Sequence, residues 1–390
     1  MKIVHVCLCG NFSETYAYQD NLLPKYHRRA GHEVTIIASA YSTQKATGGH
    51  VVEKPGVKML DDGIKLKRLR PLLPQRINLR LRLFSGLYQS ICEESPNLLF
   101  VHGIESLSYP AITKYHKKHP ETDVVVDNHA DWHNGYHNRL SLWMLKGLFN
   151  PLITRRFNKY VRVFYGVTPA RCDFLEEAYN IPREKIKLLP FGADDDYLQL
   201  EKKEELRKEV RNKFKVSDND FLVVTGGKLD KRKNIHLLAE AVKKIDNPNL
   251  KLLIFGEPSG EMKEYYEKIG SNRVLIAGWV PSTDVYRYFY ASDLVFFPGL
   301  HSVLWEQAMA CQKPSVFHRI EGFEHVNFNN NSLMLDEITE ETCRKALIML
   351  FNDKEKYQAL KNNAESPKAL QFTYSRIANQ VIEDVENSKK

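Results

Sequence analysis

The segment Gly226-Gly227-Lys228-Leu229-Asp230-Lys231-Arg232-Lys233-Asn234 combines two glycines with four cationic side chains inside six residues. It follows the apolar run Phe221–Thr225 and precedes a helical pattern. Glycines let backbone approach a ligand closely, and helix-terminal amides with lysines suit a diphosphate. Lys228 and Lys233 are the expected phosphate contacts, with Gly227 beside them; a solvated basic turn is the plain alternative. The spacing is not that of GxxxxGK[ST], so a P-loop is excluded.

A second segment, Phe297-Pro298-Gly299-Leu300-His301-Ser302-Val303-Leu304-Trp305-Glu306-Gln307-Ala308, runs from a strand through a Pro-Gly turn into a helix. Ser302 is placed to cap that helix, which leaves neighbouring N–H groups for an anion or a sugar oxygen. Glu306 lies about one turn in, and a carboxylate accepts two hydrogen bonds from a vicinal diol such as ribose. His301 lines the same loop or is an ordinary loop histidine. A third segment, Val126-Asp127-Asn128-His129-Ala130-Asp131-Trp132-His133, ends an apolar strand. His129 there suits support of developing positive charge or orientation of a hydroxyl, and Asp131 suits orientation of an acceptor or of a histidine; a crowded aromatic turn with no role is the plain alternative. His102, Gly10 and Asn11 end or follow other strands and are the remaining acceptor-side candidates, while Gly256 ends a strand beside the expected donor. The His/Asp spacing matches no metal signature, and the first loop lacks GxGxxG, which argues against a nicotinamide or flavin dinucleotide.

These residues need strand ends to hold them. Strands are expected at Ile3–Leu8, Glu33–Ala38, Leu98–Val101, Val124–Asp127, Val161–Gly166 and Ile186–Pro190, with helices at Ala17–Ala30 and Tyr109–Lys118. A second series follows: strands Phe221–Thr225, Leu250–Phe255, Val274–Ala277 and Leu294–Phe297, with helices Asn234–Ile245, Tyr265–Ile269, Asp284–Ala291 and Ser302–Cys311. Alternation of short apolar strands and helices implies parallel sheets covered by helices. The restart near residue 190 implies two α/β domains, 1–190 and 191–370, with a terminal helix over 371–390. Ligands of open α/β sheets sit beyond the C-terminal strand ends, so two such domains are expected to face one cleft.

The chain has 390 residues, 43% hydrophobic and 27% charged, and a formal charge of +8. These are globular values and exclude a disordered chain. The six cysteines show no CxxC pair, so free thiols in a reducing compartment are expected rather than disulfides or zinc. No run reaches the roughly 18 apolar residues of a membrane span, and the strand-like start is unlike a signal peptide; a cytoplasmic protein is expected. The basic-apolar stretch Lys65–Arg82 suits contact with an anionic membrane, a phosphorylated acceptor, or solvent alone. No nucleic-acid recognition module accompanies the charge.

With these residues in place, the chain resembles the retaining glycosyltransferases of family four, of the bacterial polysaccharide and glycoconjugate type. Gly227-Lys228-Leu229 with Lys233-Asn234 is similar to that family's Gly-Arg-Leu…Lys-Gly segment; Lys228 stands for the usual Arg and Asn234 for the usual Gly. Pro298-Gly299 through Glu306-Gln307-Ala308 resembles its glutamate-rich donor motif, with Pro298 where the family has a first glutamate and His301 or Ser302 left to substitute. Phe191-Gly192-Ala193-Asp194 resembles its domain junction, and Phe372-Thr373-Tyr374-Ser375 the start of its closing helix. The resemblance implies a GT-B fold whose C-terminal helix crosses back to the first domain, an acceptor-binding first domain and a nucleotide-sugar-binding second. It implies that Glu306 binds ribose, that the amides around Gly299, Leu300, His301, Ser302 and Val303 meet the donor phosphate and sugar, and that His129 lies near the donor's anomeric carbon. The implied reaction transfers a hexose from a nucleotide diphosphate sugar, UDP-sugar favoured and GDP-sugar also compatible, to a glycan or lipid-linked hydroxyl in cell-envelope polysaccharide synthesis. No metal or other cofactor is expected, because Lys228 and Lys233 supply positive charge. A sugar-nucleotide epimerase and a noncatalytic glycan- or membrane-associated scaffold are the alternatives.

Overall fold

The apolar runs become the strands of two parallel sheets. The computed structural model describes residues 1–43, 50–132 and 155–389, in two units: Met1–Pro190 with Tyr374–Lys390, and Phe191–Thr373. In the first unit the strands are β1 (Lys2–Cys7), β2 (Glu33–Ser39), β3 (Tyr41–Thr43), β4 (His50–Val52), β5 (Gly56–Met59), β6 (Lys65–Leu69), β7 (Leu98–His102), β8 (Asp123–Asn128), β9 (Val163–Gly166) and β10 (Ile186–Leu188). Eight of them form one sheet in the order β10-β9-β8-β7-β1-β2-β6-β5, parallel except for the edge pair β5/β6; β3 and β4 pair separately. Alternate residues of β1 serve both faces. Val4 and Val6 pack with Ile112 and Phe174, while Ile3 packs with Leu22, Leu23 and Ile377. Burial on both faces explains why these strands read as continuous apolar runs.

The helix Tyr374–Asn387 carries Tyr374, Ile377, Ala378, Val381 and Val385 on one buried stripe at helical spacing. That stripe covers the first unit's sheet beside the helix Gln19–Arg29, with Tyr26 and Tyr374 stacked 6.4 Å apart. His27 Nε2 donates to the Ala378 carbonyl at 3.1 Å, and Lys187 pairs with Asp384 at 2.6 Å. The closing helix therefore returns to the first unit, as the resemblance implies.

One sequence expectation needs correction here. The first part of the Lys65–Arg82 stretch is neither solvated nor free for lipid, because it is β6, inside the sheet. Lys67 and Arg68 are buried. Lys67 pairs with Glu93 and Glu94, Lys65 with Glu94, and Arg68 with Glu14. Arg68 also donates to the Ser39 and Phe12 carbonyls. Burial without such partners would cost several kcal/mol per ion, which accounts for the glutamates on the neighbouring helix Leu87–Glu94.

The second unit holds β11 (Phe221–Gly226), β12 (Leu250–Phe255), β13 (Val274–Gly278), β14 (Leu294–Phe297), β15 (Ser315–His318) and β16 (Ser332–Leu335). Their order is β13-β12-β11-β14-β15-β16, parallel throughout. Both sheets thus reverse direction of winding beside their first strand, the Rossmann arrangement. Two Rossmann-like units with a helix returning from the end of the chain to the first constitute the GT-B fold. Among the described residues no helix is long and apolar enough to cross a membrane, and all six cysteines are unpaired.

Candidate donor and catalytic sites

In the second unit the winding reverses between β11 and β14, and the two basic and glycine-rich loops leave these strands side by side. Three glycines make that approach possible. A Cβ on Gly256 would lie 1.9 Å from the Gly227 carbonyl oxygen, and one on Gly299 would lie 2.3 Å from Lys233 Cα. Gly227 and Gly256 also hold φ of +110° and +129°, which L side chains rarely adopt. The backbone after β11 thus packs on the loops after β12 and β14 with no room for side chains. Asn234 takes a left-handed φ of 53°, a conformation asparagine tolerates. Its Nδ2 donates to the Pro298 carbonyl at 3.2 Å. The substitution of Asn for the family's Gly keeps the backbone shape and adds a tie to the next loop.

The cations divide into two groups. Lys233 Nζ donates to the Leu300 carbonyl at 2.6 Å and to the His301 carbonyl at 3.3 Å, and burial lowers its pKa. Arg232 is held by Asp230 at 2.8 Å. Lys228 is exposed, and its ammonium makes no hydrogen bond or ion pair among the described residues, so it is free for an anion. Gly226, Lys233, Pro298, Gly299, Leu300 and Ser302 surround a small hollow between the loops. Ser302 does not cap the following helix as expected. The helix spans Leu304–Ala310, its N-cap is Val303, and there is no side-chain cap; the Ser302 carbonyl instead accepts from Trp305 N–H at 2.9 Å.

Glu306, in the first turn of that helix, is fully buried. Its Oε1 accepts from His301 Nε2 at 2.8 Å and from His325 Nε2 at 2.9 Å. Burial pushes the Glu306 carboxyl up, but His301 and His325 outweigh it and hold it at about 2. Oε2 is buried with no partner among the described residues. A buried carboxylate oxygen without a donor is costly, and a ribose hydroxyl would satisfy it. His301, Glu306 and His325 are also the one group of three among the described residues whose ligand atoms, within 4.8 Å of one another, could hold a cation; two N–H donors to one carboxylate oxygen account for the same distances. His325 was missed in the sequence, where it is a lone histidine 19 residues after Glu306 on the short 3-10 turn Glu324–Val326. No local spacing announces it.

In the first unit His129 follows β8 and is partly exposed, with Nε2 at 3.4 Å from Asp127 Oδ2. Asp131 is buried, 3.2 Å from Arg171. His102 is also buried, with one ring nitrogen at 2.8 Å from Asp127 and the other at 2.9 Å from His5. Gly10 is exposed and its carbonyl accepts from Ser39 at 3.1 Å, while Asn11 donates to Thr43. His133, the end of the third motif, lies outside the described residues.

The fold and the paired glycine loops define a GT-B protein with a phosphate-compatible second unit. Two family models match the chain, "Glycosyltransferase Family 4" over residues 21–197 and "Glycosyl transferases group 1" over residues 206–366, and the chain belongs to these glycosyltransferase families. An uncharacterized glycosyltransferase of Methanocaldococcus jannaschii is 22% identical over 214 residues, 52% of this chain and 54% of the relative. The processive diacylglycerol alpha-glucosyltransferase of Acholeplasma laidlawii is 24% identical over 254 residues, 60% of this chain and 72% of the relative. The alignment thus spans about half of the first relative's length. Among solved structures, Anabaena HepE in complex with UDP shares the fold with a TM-score of 0.67, at 15% identity, over 99% of this chain and 100% of that chain.

Proposed function

We propose that this protein is a retaining glycosyltransferase that moves a hexose from a UDP-sugar to a hydroxyl of a glycan or lipid-linked acceptor. The observation that carries the reading is the second unit's paired loops, where Gly227, Gly256 and Gly299 bring backbone together beside the free Lys228 and the partnerless Oε2 of Glu306. HepE, similar in fold, was solved with UDP, which favours uridine over guanosine. In this reading the second unit holds the donor and the first receives the acceptor. Glu306 Oε2 takes a ribose hydroxyl, and Lys228 with the Gly299–Val303 amides meets the diphosphate. Lys233 contributes charge and secures the loop through the Leu300 carbonyl.

The acceptor oxygen bonds to the anomeric carbon on the face that the diphosphate leaves. The carbon–oxygen bond to the β-phosphate breaks, and the acceptor proton passes to that phosphate. Positive charge develops on the sugar, near His129, while negative charge grows on the leaving group, where preorganised cations and amides act most strongly. Six unpaired cysteines suit a reducing compartment, and we place the reaction in the cytoplasm. With Lys65, Lys67 and Arg68 committed to glutamates, the exposed Arg70, Arg76 and Arg80 are what the basic stretch retains for an anionic membrane or acceptor.

Titration calorimetry with UDP, GDP and ADP, followed by product analysis with UDP-hexoses, tests this. UDP binding that weakens about 10- to 100-fold in Lys228→Ala and Glu306→Ala, the loss expected from one charge-assisted contact each, supports it. Unchanged binding in both variants overturns the donor site, and an epimerised sugar nucleotide in place of a transferred sugar overturns the reaction.

A further inference from the structure

The first unit contains a buried run of titratable groups that the proposed reaction leaves unused. It starts on the closing helix at the Ala378 carbonyl, 3.1 Å from His27 Nε2. His27 Nδ1 lies 3.0 Å from His5 Nε2, and His5 Nδ1 lies 2.9 Å from His102 Nε2. His102 Nδ1 lies 2.8 Å from Asp127 Oδ2, which is also 3.4 Å from His129 Nε2. The other Asp127 oxygen accepts from the Gly103 N–H at 2.8 Å.

Hydrogen-bond polarity assigns the protons. A carbonyl only accepts, so His27 carries hydrogen on Nε2. Burial lowers the pKa of His27 to about 3 and that of His5 well below its ordinary value, so each is neutral with a single N–H. His27 Nδ1 must then accept from His5 Nε2–H, and His5 Nδ1 from His102 Nε2–H. At the far end Asp127 accepts as well, so His102 carries a second hydrogen on Nδ1. His102 is therefore an imidazolium, bound to Asp127 and 3.5 Å from Asp20. The opposing shifts agree with this. Burial works against charge at both groups, yet Asp127 and Asp20 raise His102, while His102 and His129 lower Asp127.

We propose that Asp127 is the positioning residue of His129, and that its carboxylate is fixed by a doubly protonated His102 at the end of a histidine chain anchored on the closing helix. The inference rests on the reading that places His129 at the donor's anomeric carbon. With Oδ1 tied to Gly103 and Oδ2 to His102, the carboxylate is fixed, which places Oδ2 3.4 Å from the His129 ring it positions. The closing helix, far along the sequence, thereby sets the proton order of a chain that ends at the reacting face.

Two measurements on the full chain test this. In the wild type, histidine ¹H–¹⁵N spectra at pH 6.5 should show His102 with both ring nitrogens protonated in the major state, and His5 and His27 singly protonated. A neutral His102 at that pH overturns the chain, whatever the variants do. For the positioning role, turnover of the UDP-sugar identified by the screen above is measured in Asp127→Asn, in His129→Ala and in the double variant. Asp127→Asn should lower kcat about 10- to 100-fold with donor KM changed less than about twofold, and should add less than about twofold in the His129→Ala background. An equal loss in both backgrounds overturns the positioning role while the role of His129 stands. Full activity in His129→Ala overturns the role of His129 itself, and this inference with it.

Discussion

Glu306 shows how a side chain's partners change its reading. Sequence position places it one turn into a helix, where an exposed charge is the ordinary expectation; in the fold it is buried with two imidazole donors on one oxygen and none on the other. The pair of histidines holds Oε1 and leaves Oε2, the oxygen that the proposed reading gives to a ribose hydroxyl, without a donor among the described residues. His325→Ala should therefore weaken UDP binding about 5- to 30-fold without touching the nucleotide, the effect of a positioning hydrogen bond worth about 1–2 kcal/mol. Calorimetry beside Glu306→Ala checks it, and affinity equal to wild type would leave Glu306 positioned by His301 alone. Lys228 was legible from its loop because charge density beside glycines is a local property. His325 was not, because its neighbour Glu306 is close only through the fold.

At the scale of elements, the close-packed loops after β11, β12 and β14 depend on glycine more than on any charged residue. Gly256→Ala forces a Cβ against the Gly227 carbonyl in a backbone region alanine avoids. It should lower the second unit's stability by about 1–3 kcal/mol and weaken UDP binding in parallel. Thermal unfolding with and without UDP measures both, and an unperturbed variant would show that the loops have slack. The histidine chain makes a separate prediction for the first unit. His27 has its folded pKa lowered from 6.5 to about 3 by burial. A group depressed in this way contributes stability that is present above the unfolded value and lost as pH falls toward the folded one. The first unit should lose stability between about pH 6.5 and pH 3, with His27 adding up to about 1.4 kcal/mol per pH unit. His102, raised by Asp127, acts in the opposite sense, and its stabilisation is lost as pH rises through its folded value. His27→Gln should flatten the acid slope in a pH series of denaturant unfolding curves; an unchanged slope would place the acid sensitivity elsewhere.

For the whole molecule, the closing helix makes a stretch near residue 380 part of the first unit's core. Ile377 and Val381 are fully buried against the sheet cluster that includes Leu23 and Phe100. Ile377→Ala should destabilise by about 2–5 kcal/mol. Hydrogen exchange should show the loss in amides of β1 and the helix Gln19–Arg29, not in β11 or β14. Faster exchange confined to the second unit would contradict the placement. Ten of the sixteen described strands were legible, because strands buried on both faces need uninterrupted apolar runs, as were those helices between them whose apolar residues recur at helical spacing. β3 to β6, β15 and β16 were not; β6 is the instructive case, because Lys65-Leu66-Lys67-Arg68 reads as a basic surface. Only the glutamates brought beside it by the helix Leu87–Glu94 and by Glu14 let it lie inside a sheet.

What the sequence determined by itself was the alternation of strand and helix, the restart near residue 190, and the glycine and lysine loops of the second half. Each is written in neighbouring residues, since periodicity, turn chemistry and local charge density act over a few positions. What only the tertiary structure decided was the state of the groups in those places. The fold brought His325 to Glu306, spent Lys233 on two carbonyls, buried Lys67 and Arg68, and tied Ala378 to Asp127 through three histidines. Burial and hydrogen-bond polarity depend on atoms far apart in the chain, so charge, orientation and availability become defined only when the strands bring those atoms together.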